Sequence, residues 1–314
     1  MNTSAEPVRQ SKNISPPGSE GTSMILITGA TGTVGSEVVK QLAATGAPLR
    51  ALVRNLEKAN QIRRPGVELA QGDFDKPETL DAALAGAEKV FLLSSSDPRQ
   101  VELQGNLIEA ARRSGVRHIV KLSAIGAAAE SPVRFLRWHW QTEKQLEQSG
   151  ISYTHLRPHY FMQNTLGFAD TVAGQGAIYV PMKDARISMV DVRDVAAVAV
   201  AALTRPGHAG KTYDVTGPEA LSFTQVAEKL STALGRKVTH IEVTPAVAKQ
   251  GMMSAGFPEG LADGVLELNA GWNGGGAAYV TRVVAEVGKV QPHTFDQFAR
   301  EFAPAFQKSQ AQAG

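Results

Sequence analysis

The chain has 314 residues, 43% hydrophobic and 20% charged, the balance of a globular protein with a full-sized core. Thirty-two basic against 30 acidic side chains leave a net charge of +2, too small to mark a nucleic-acid-binding surface. The absence of cysteine excludes disulfides, thiolate metal sites and cysteine nucleophiles, and no apolar run is long enough to cross a bilayer.

Residues 1–23 are rich in Ser, Pro, Gly and Asn and carry no apolar segment. They read as a disordered tail rather than a secretory leader, and the expectation is a cytoplasmic protein. Residues 24–27 form an apolar strand that ends at Thr28 and a glycine turn. A helix follows at once, with Val34, Val38 and Leu42 at spacings of four and Gly46 at its end. Gly29, Gly32 and Gly35 follow the spacing G-x-x-G-x-x-G, a variant of the dinucleotide-binding fingerprint. Strand, glycine turn and helix together place free N–H groups and a partial positive charge where a pyrophosphate binds.

Residues 49–54 alternate as a second strand. An acid at its carboxyl end would hold the ribose hydroxyls of NAD(H), whereas an arginine accommodates the 2′-phosphate of NADP(H). Arg54 stands there, with Lys58, Arg63 and Arg64 nearby, so NADP(H) is the expected cofactor. Residues 67–70 are a third strand leading to Gly72-Asp73-Phe74. A short helix over 80–84 precedes the apolar fourth strand, 89–93, which ends in Ser94-Ser95-Ser96. A helix over 106–113 leads to a fifth strand at 118–123, a helix over 133–149 and a sixth strand at 151–158. Such alternation predicts an α/β protein with a doubly wound parallel sheet of the Rossmann type.

On the fourth helix His139 and Glu143 stand at i and i+4, on one face. The sixth strand runs into Pro158-His159-Tyr160-Phe161 at the sheet's carboxyl edge, where ligands of such sheets bind. Beyond it, short strands are expected at 177–181, 186–190, 211–215 and 238–243. Helices are expected at 192–203, 223–234, 245–255 and 294–306, and residues 269–276 read as a flexible glycine loop. The implied division is a tail over 1–23, a nucleotide-binding domain over 24–157, and 158–314 as mainly a smaller α/β C-terminal substrate lobe, with elements returning to the sheet.

Several stretches together resemble one family. They are Gly29-Ala30-Thr31-Gly32 with Gly35, Arg54, Gly72-Asp73-Phe74, and His139-x-x-x-Glu143-x-x-Leu146-x-x-Ser149-Gly150. Tyr153-Thr154-x-Leu156-Arg157-Pro158-x-x-Phe161-Met162-x-Asn164, Val190-Asp191-Val192-Arg193-Asp194 and Thr216-Gly217-Pro218-Glu219 complete the set. The chain is similar to the NmrA-like branch of atypical short-chain dehydrogenases/reductases over roughly residues 24–305. That group includes NADPH-dependent azoreductases, quinone reductases and triphenylmethane reductases, and regulators that bind NADP. The resemblance implies that Gly29, Ala30, Thr31, Gly32, Thr33 and Val34 hold the pyrophosphate and Arg54 the 2′-phosphate. Asp73 and Phe74 would flank the adenine, Ser94, Ser95 and Ser96 would line the path to the nicotinamide, and Pro158 and Phe161 would face it. Asp191 and Asp194 would tie a strand–helix corner.

Ordinary short-chain reductases carry a Y-x-x-x-K acid pair on the helix after the fifth strand; here Arg137 and Gln141 occupy those places. The one Y-x-x-x-K, Tyr179 to Lys183, contains Pro181 and does not form a helical face. The expected chemistry is therefore direct hydride transfer from the nicotinamide to an electron-poor aromatic acceptor, an azo dye, a quinone or an imine-like group. Tyr160 and His139 are the candidates for orienting or protonating it. The alternatives are a redox-sensing regulator that binds NADP without turnover, and a carbonyl reductase with a substitute acid. His155 and His159 are separated by Pro158, so no metal site is expected. Trp138, Trp140 and Phe135 are expected to pack or to meet a second copy, as in a homodimer. Neither nucleic acid nor membrane is an expected partner.

Overall fold

The computed structural model describes residues 23–307; the tail expected over 1–23 lies, apart from Ser23, outside the described residues. In chain order the strands are β1 (Met24–Ile27), β2 (Leu49–Val53), β3 (Val67–Gln71), β4 (Ala87–Leu92), β5 (His118–Leu122), β6 (Ser152–Pro158), β7 (Ala177–Val180), β8 (Lys211–Val215) and β9 (Thr239–Glu242). A seven-stranded sheet has the order β3-β2-β1-β4-β5-β6-β8, and every neighbouring pair in it is parallel. The strand order reverses between β1 and β4, which opens a crevice at the carboxyl ends of those strands.

The inner strands of the sheet bury both faces, and their side chains alternate between two cores. Ile25 and Ile27 of β1 belong to one apolar cluster and Leu26 to the other. The first cluster is capped by α1 (Thr33–Thr45) and α6 (Val192–Thr204), the second by α2 (Leu80–Leu84), α3 (Gln100–Arg113) and α4 (Arg134–Gln148). Helix α6 is buried on nearly all sides, from Val192 to Leu203. Its alanines and valines allow close approach, and each buried valine contributes about 1.5–3 kcal/mol. Its start is capped by Asp191, whose carboxylate accepts the Arg193 N–H at 2.9 Å.

A third apolar cluster, built from Met162, Ile178, Met189, Phe223, Leu230, Phe295 and Phe298 among others, gathers residues after β6. It joins α5 (Ala169–Gln175), α7 (Phe223–Leu234) and α10 (Phe295–Glu301) to the parallel pair β7–β9. Two more helices, α8 (Pro245–Ser254) and α9 (Glu259–Asn273), form a hairpin beside α4.

Three expectations change. Residues 186–190 make isolated bridges, Ile187 to Leu221 and Val190 to Phe161, rather than a strand. The helix expected at 106–113 begins at Gln100. Residues 269–273, expected as a flexible glycine loop, are the last turn of α9. Leu261, Val265, Leu268 and Trp272 recur there at helical spacing, and the interleaved glycines hid that stripe. Gly264 is needed because a Cβ there would lie 2.1 Å from the Phe135 ring on α4.

Candidate active site

The groove begins at the end of β1. The Thr28 hydroxyl donates to the Leu93 carbonyl and accepts from the Leu93 N–H, both at 2.8 Å, which ties the ends of β1 and β4. Gly29 then turns with φ +59°, and a Cβ there would sit 2.8 Å from Leu93 Cγ. A Cβ on Gly35 would lie 2.1 Å from the Gly29 carbonyl oxygen; Gly35 therefore lets α1 close directly onto the turn. Gly32 is the N-cap of α1 and no side chain caps that end. The first-turn N–H groups are left to bind an anion.

A groove of about 500 Å³ runs past this turn. It is lined by Gly29, Ala30, Thr31, Gly32, Thr33, Val34, Arg54, Asp73, Phe74, Ser94, Ser95, Ser96 and Phe161. Arg54 is exposed, and its guanidinium makes no ion pair among the described residues. The side chain of Lys58 lies outside the described residues, and neither Arg63 nor Arg64 lines the groove.

A second cavity, of about 280 Å³, adjoins the first; Leu93, Ser94, Ser96, Leu122, Phe161 and Asn164 line both. Pro158, Tyr160 and His139 belong to its walls, with Ile125, Phe135, Leu136, Leu268 and Trp272 supplying apolar and aromatic surface. Phe135 thus faces a cavity instead of serving only as packing. Tyr160 stands edge-on to Phe223 and Trp272, at 6.1 and 5.7 Å between ring centres. Burial raises its phenol above the usual range, and its hydroxyl makes no hydrogen bond among the described residues. Such a phenol is a poor proton donor and a good apolar wall.

Gln100 and Gln104 reach the cavity from the first turns of α3. Gln104 donates to Ser94 Oγ at 2.8 Å, but its Oε1 and the Gln100 Nε2 are buried without a partner. A polar group of a bound ligand would satisfy them. Setting the helix start at 106 hid both residues; the signal was Asp97-Pro98, since Asp97 accepts the Arg99 N–H at 2.7 Å just before α3.

Behind the cavity lies a buried ionic network. On β5 the lysine at 121 is fully buried and points to the α4 side, the same face as Ile119. Its Nζ lies 3.1 Å from His139 Nδ1. Glu143 is not the partner of His139, although the two share a helix face. Arg157 donates to both Glu143 oxygens, at 2.9 and 2.5 Å, and Ser123 Oγ donates to Oε1 at 2.5 Å. Burial, reinforced by Lys121 and Arg157, holds His139 neutral, well below its ordinary value. Burial also lowers Lys121 to about 7, only partly offset by Glu143. His155 and His159 are both lowered to about 4 by burial. Oxygen and nitrogen atoms of Glu143, Glu147 and His155 approach within 4.8 Å of one another. Both Glu143 oxygens are already bonded by Arg157 and Ser123, and Glu147 Oε1 lies 3.3 Å from His155 Nε2.

Two sequence features stay outside the site. Tyr179 donates to Gln175 at 2.6 Å, and neither it nor Lys183 lines either cavity. Asp191 receives Arg193 and Gln163, while His293 donates its N–H to Asp194 at 2.8 Å.

Comparison with known proteins carries the sheet and the cleft further. The profile of the NmrA-like family matches residues 21–299. The chain belongs to the NmrA-like family. It is 44% identical to an NAD(P)H azoreductase of Xenophilus azovorans over 283 residues, 90% of this chain and 99% of that one. It is 36% identical to quinone oxidoreductase 2 of Escherichia coli over 256 residues, 81% of this chain and 89% of that one. The crystal structure of an NADPH-dependent quinone oxidoreductase of Escherichia coli, complexed with NADPH, superimposes with a TM-score of 0.82 at 31% identity. It covers 89% of this chain and 100% of that one.

Proposed function

We propose that this NmrA-like protein is an NADPH-dependent reductase of electron-poor aromatic acceptors, of the azo, quinone or imine-like class. The observation that carries the reading is one continuous cleft with two unlike ends. One end has an uncapped helix N-terminus and an arginine with no ionic partner among the described residues; the other is a buried aromatic cavity. The azoreductase and quinone oxidoreductase relatives support the same class of chemistry.

In this reading the amides from Gly29 to Val34 hold the pyrophosphate and Arg54 binds the 2′-phosphate bidentately. Asp73 and Phe74 flank the adenine, and Ser94, Ser95 and Ser96 line the stretch between pyrophosphate and nicotinamide. Pro158 and Phe161 face the ring at the junction of the two cavities. The bound, reduced nicotinamide supplies a hydride. The chain supplies position and dryness: Phe135, Tyr160 and Trp272 hold a planar acceptor against the junction and keep bulk water away. Neutral His139 is the hydrogen-bond donor for the atom that gains charge. Residues after 157 complete the acceptor cavity with Pro158, Tyr160, Phe161, Leu268 and Trp272.

The test is NADPH oxidation, followed at 340 nm, across a panel of quinones and azo dyes, with NADH in parallel. Steady turnover with NADPH is expected. Tight NADPH binding with no turnover on any acceptor would return the protein to the regulatory reading.

A further inference from the structure

We propose that Lys121 and His139 form a proton relay, in which His139 protonates the acceptor and Lys121, as a positioning residue behind it, recharges and orients the imidazole. The proposal deepens the reductase reading and rests on it.

The geometry dictates the direction. An ammonium group has donors and no acceptor, so Lys121 in its charged form donates to His139 Nδ1 across the 3.1 Å contact. Because Nδ1 accepts, a neutral His139 carries its proton on Nε2, the nitrogen left for the cavity that His139 lines. The acceptor then receives two electrons and one hydrogen as hydride from the reduced nicotinamide, and one proton from His139 Nε2. As that N–H bond breaks, an N–H bond of Lys121 breaks and a new one forms at Nδ1. The products are a doubly reduced, doubly hydrogenated acceptor, oxidised nicotinamide, neutral Lys121 and neutral His139 in the opposite tautomer. After product leaves, a proton from water enters at Nε2 and the Nδ1 proton returns to Lys121.

Three features favour storing a proton at Lys121. Lys121 is fully buried, so it cannot touch the acceptor and acts only through His139. The charged and titratable groups around it are His139 and Glu143 from α4 and His155 and Arg157 from β6, while α3 presents the uncharged Gln100 and Gln104 to the same cavity. Glu143 is occupied by Arg157, so Lys121 has no carboxylate of its own. Burial therefore brings it to about 7, the range in which a group both gives and regains a proton near neutral pH.

The test measures kcat with saturating NADPH from pH 5.5 to 9 in the full chain, in Lys121→Met and in Lys121→Arg. The wild-type profile is expected to fall on the alkaline side through pH 7 as Lys121 loses its proton. Lys121→Met should abolish that limb and lower kcat at pH 6 about 10- to 100-fold, with NADPH affinity unchanged by calorimetry. Lys121→Arg should retain the charge without restoring turnover, because a guanidinium does not release its proton. An alkaline limb that persists in Lys121→Met, or rescue by Lys121→Arg, overturns the relay while leaving the reductase intact. No turnover by the wild-type chain overturns the reductase reading and the relay with it. Nitrogen-15 NMR of the unsubstituted protein at pH 6 decides independently of activity and of variant folding: His139 should be protonated on Nε2 alone, and a proton on Nδ1 overturns the proposal.

Discussion

The nucleotide groove and the acceptor cavity share Leu93, Ser94 and Phe161, yet they are made of different material. The groove is mostly backbone: a tight turn, a helix end without a side-chain cap and one exposed guanidinium. Its recognition comes from N–H groups whose positions follow from a few consecutive residues. The cavity is side chains from β5, α3, α4, β6 and α9, and behind it lies a buried network of Lys121, His139, Glu143 and Arg157. A groove of the first kind tolerates exchange of its neighbours but not of its turn. A cavity of the second kind is sensitive to any member that leaves a buried charge or donor uncompensated.

The sharpest way to break the comparison is at the turn. In Gly35→Val a side chain must enter where a Cβ already lies 2.1 Å from the Gly29 carbonyl oxygen, so α1 has to move off β1. A loss of about 3 kcal/mol in stability is expected, with NADPH binding lost in calorimetry. A variant that binds NADPH normally would show that the groove does not depend on that close approach.

On the cavity side, Glu143→Gln strips the buried partner from Arg157 and Ser123 and should cost about 3 kcal/mol in urea unfolding, leaving the groove's fold in place. The pH dependence has a definite sign. Burial raises the Glu143 carboxyl, but Arg157 and Ser123 outweigh it and hold it below its ordinary 4.5. Its stabilisation is present above pH 4.5 and is lost as pH falls through the lower folded value. The wild-type chain should therefore lose stability in acid more steeply than Glu143→Gln. Equal acid slopes would mean that the pair carries no net linkage.

The smallest effect separates the two cofactors. Arg54→Ala removes an exposed guanidinium and should weaken NADPH binding by about 1.5–3 kcal/mol, about 10- to 150-fold in Kd, with NADH changed less than about twofold. Equal losses for both nucleotides would mean that Arg54 does not read the 2′-phosphate.

The two regions were unequally legible in the chain. Gly29, Gly32 and Gly35 between an apolar strand and an amphipathic helix, and Arg54 at the next strand end, are local signals; the structure lines one groove with Gly29, Gly32 and Arg54 and packs Gly35 against the turn behind it. His139 was visible as a helix residue sharing a face with Glu143, but its neighbour Lys121 comes from the sheet, which helical spacing does not reach. A signal for Lys121 existed: a lysine between Val120 and Leu122, in a strand buried on both faces, has no route to solvent. Helix α9 escaped because 269–276 read as a glycine loop and the glycines at 260 and 264 interrupt its apolar stripe, although Gly264 is there to admit the Phe135 ring.

The sequence by itself determined the alternation of strands and helices, the turn after β1 and the basic residue after β2, since each rests on contacts within a few residues or on a two- or 3.6-residue period. Only the tertiary structure decided that Lys121 backs His139, that Arg157 takes Glu143, and that α9 closes the acceptor cavity. Those pairings join residues 14 to over 100 positions apart, and no local period encodes which buried charge will meet which partner once the sheet is covered.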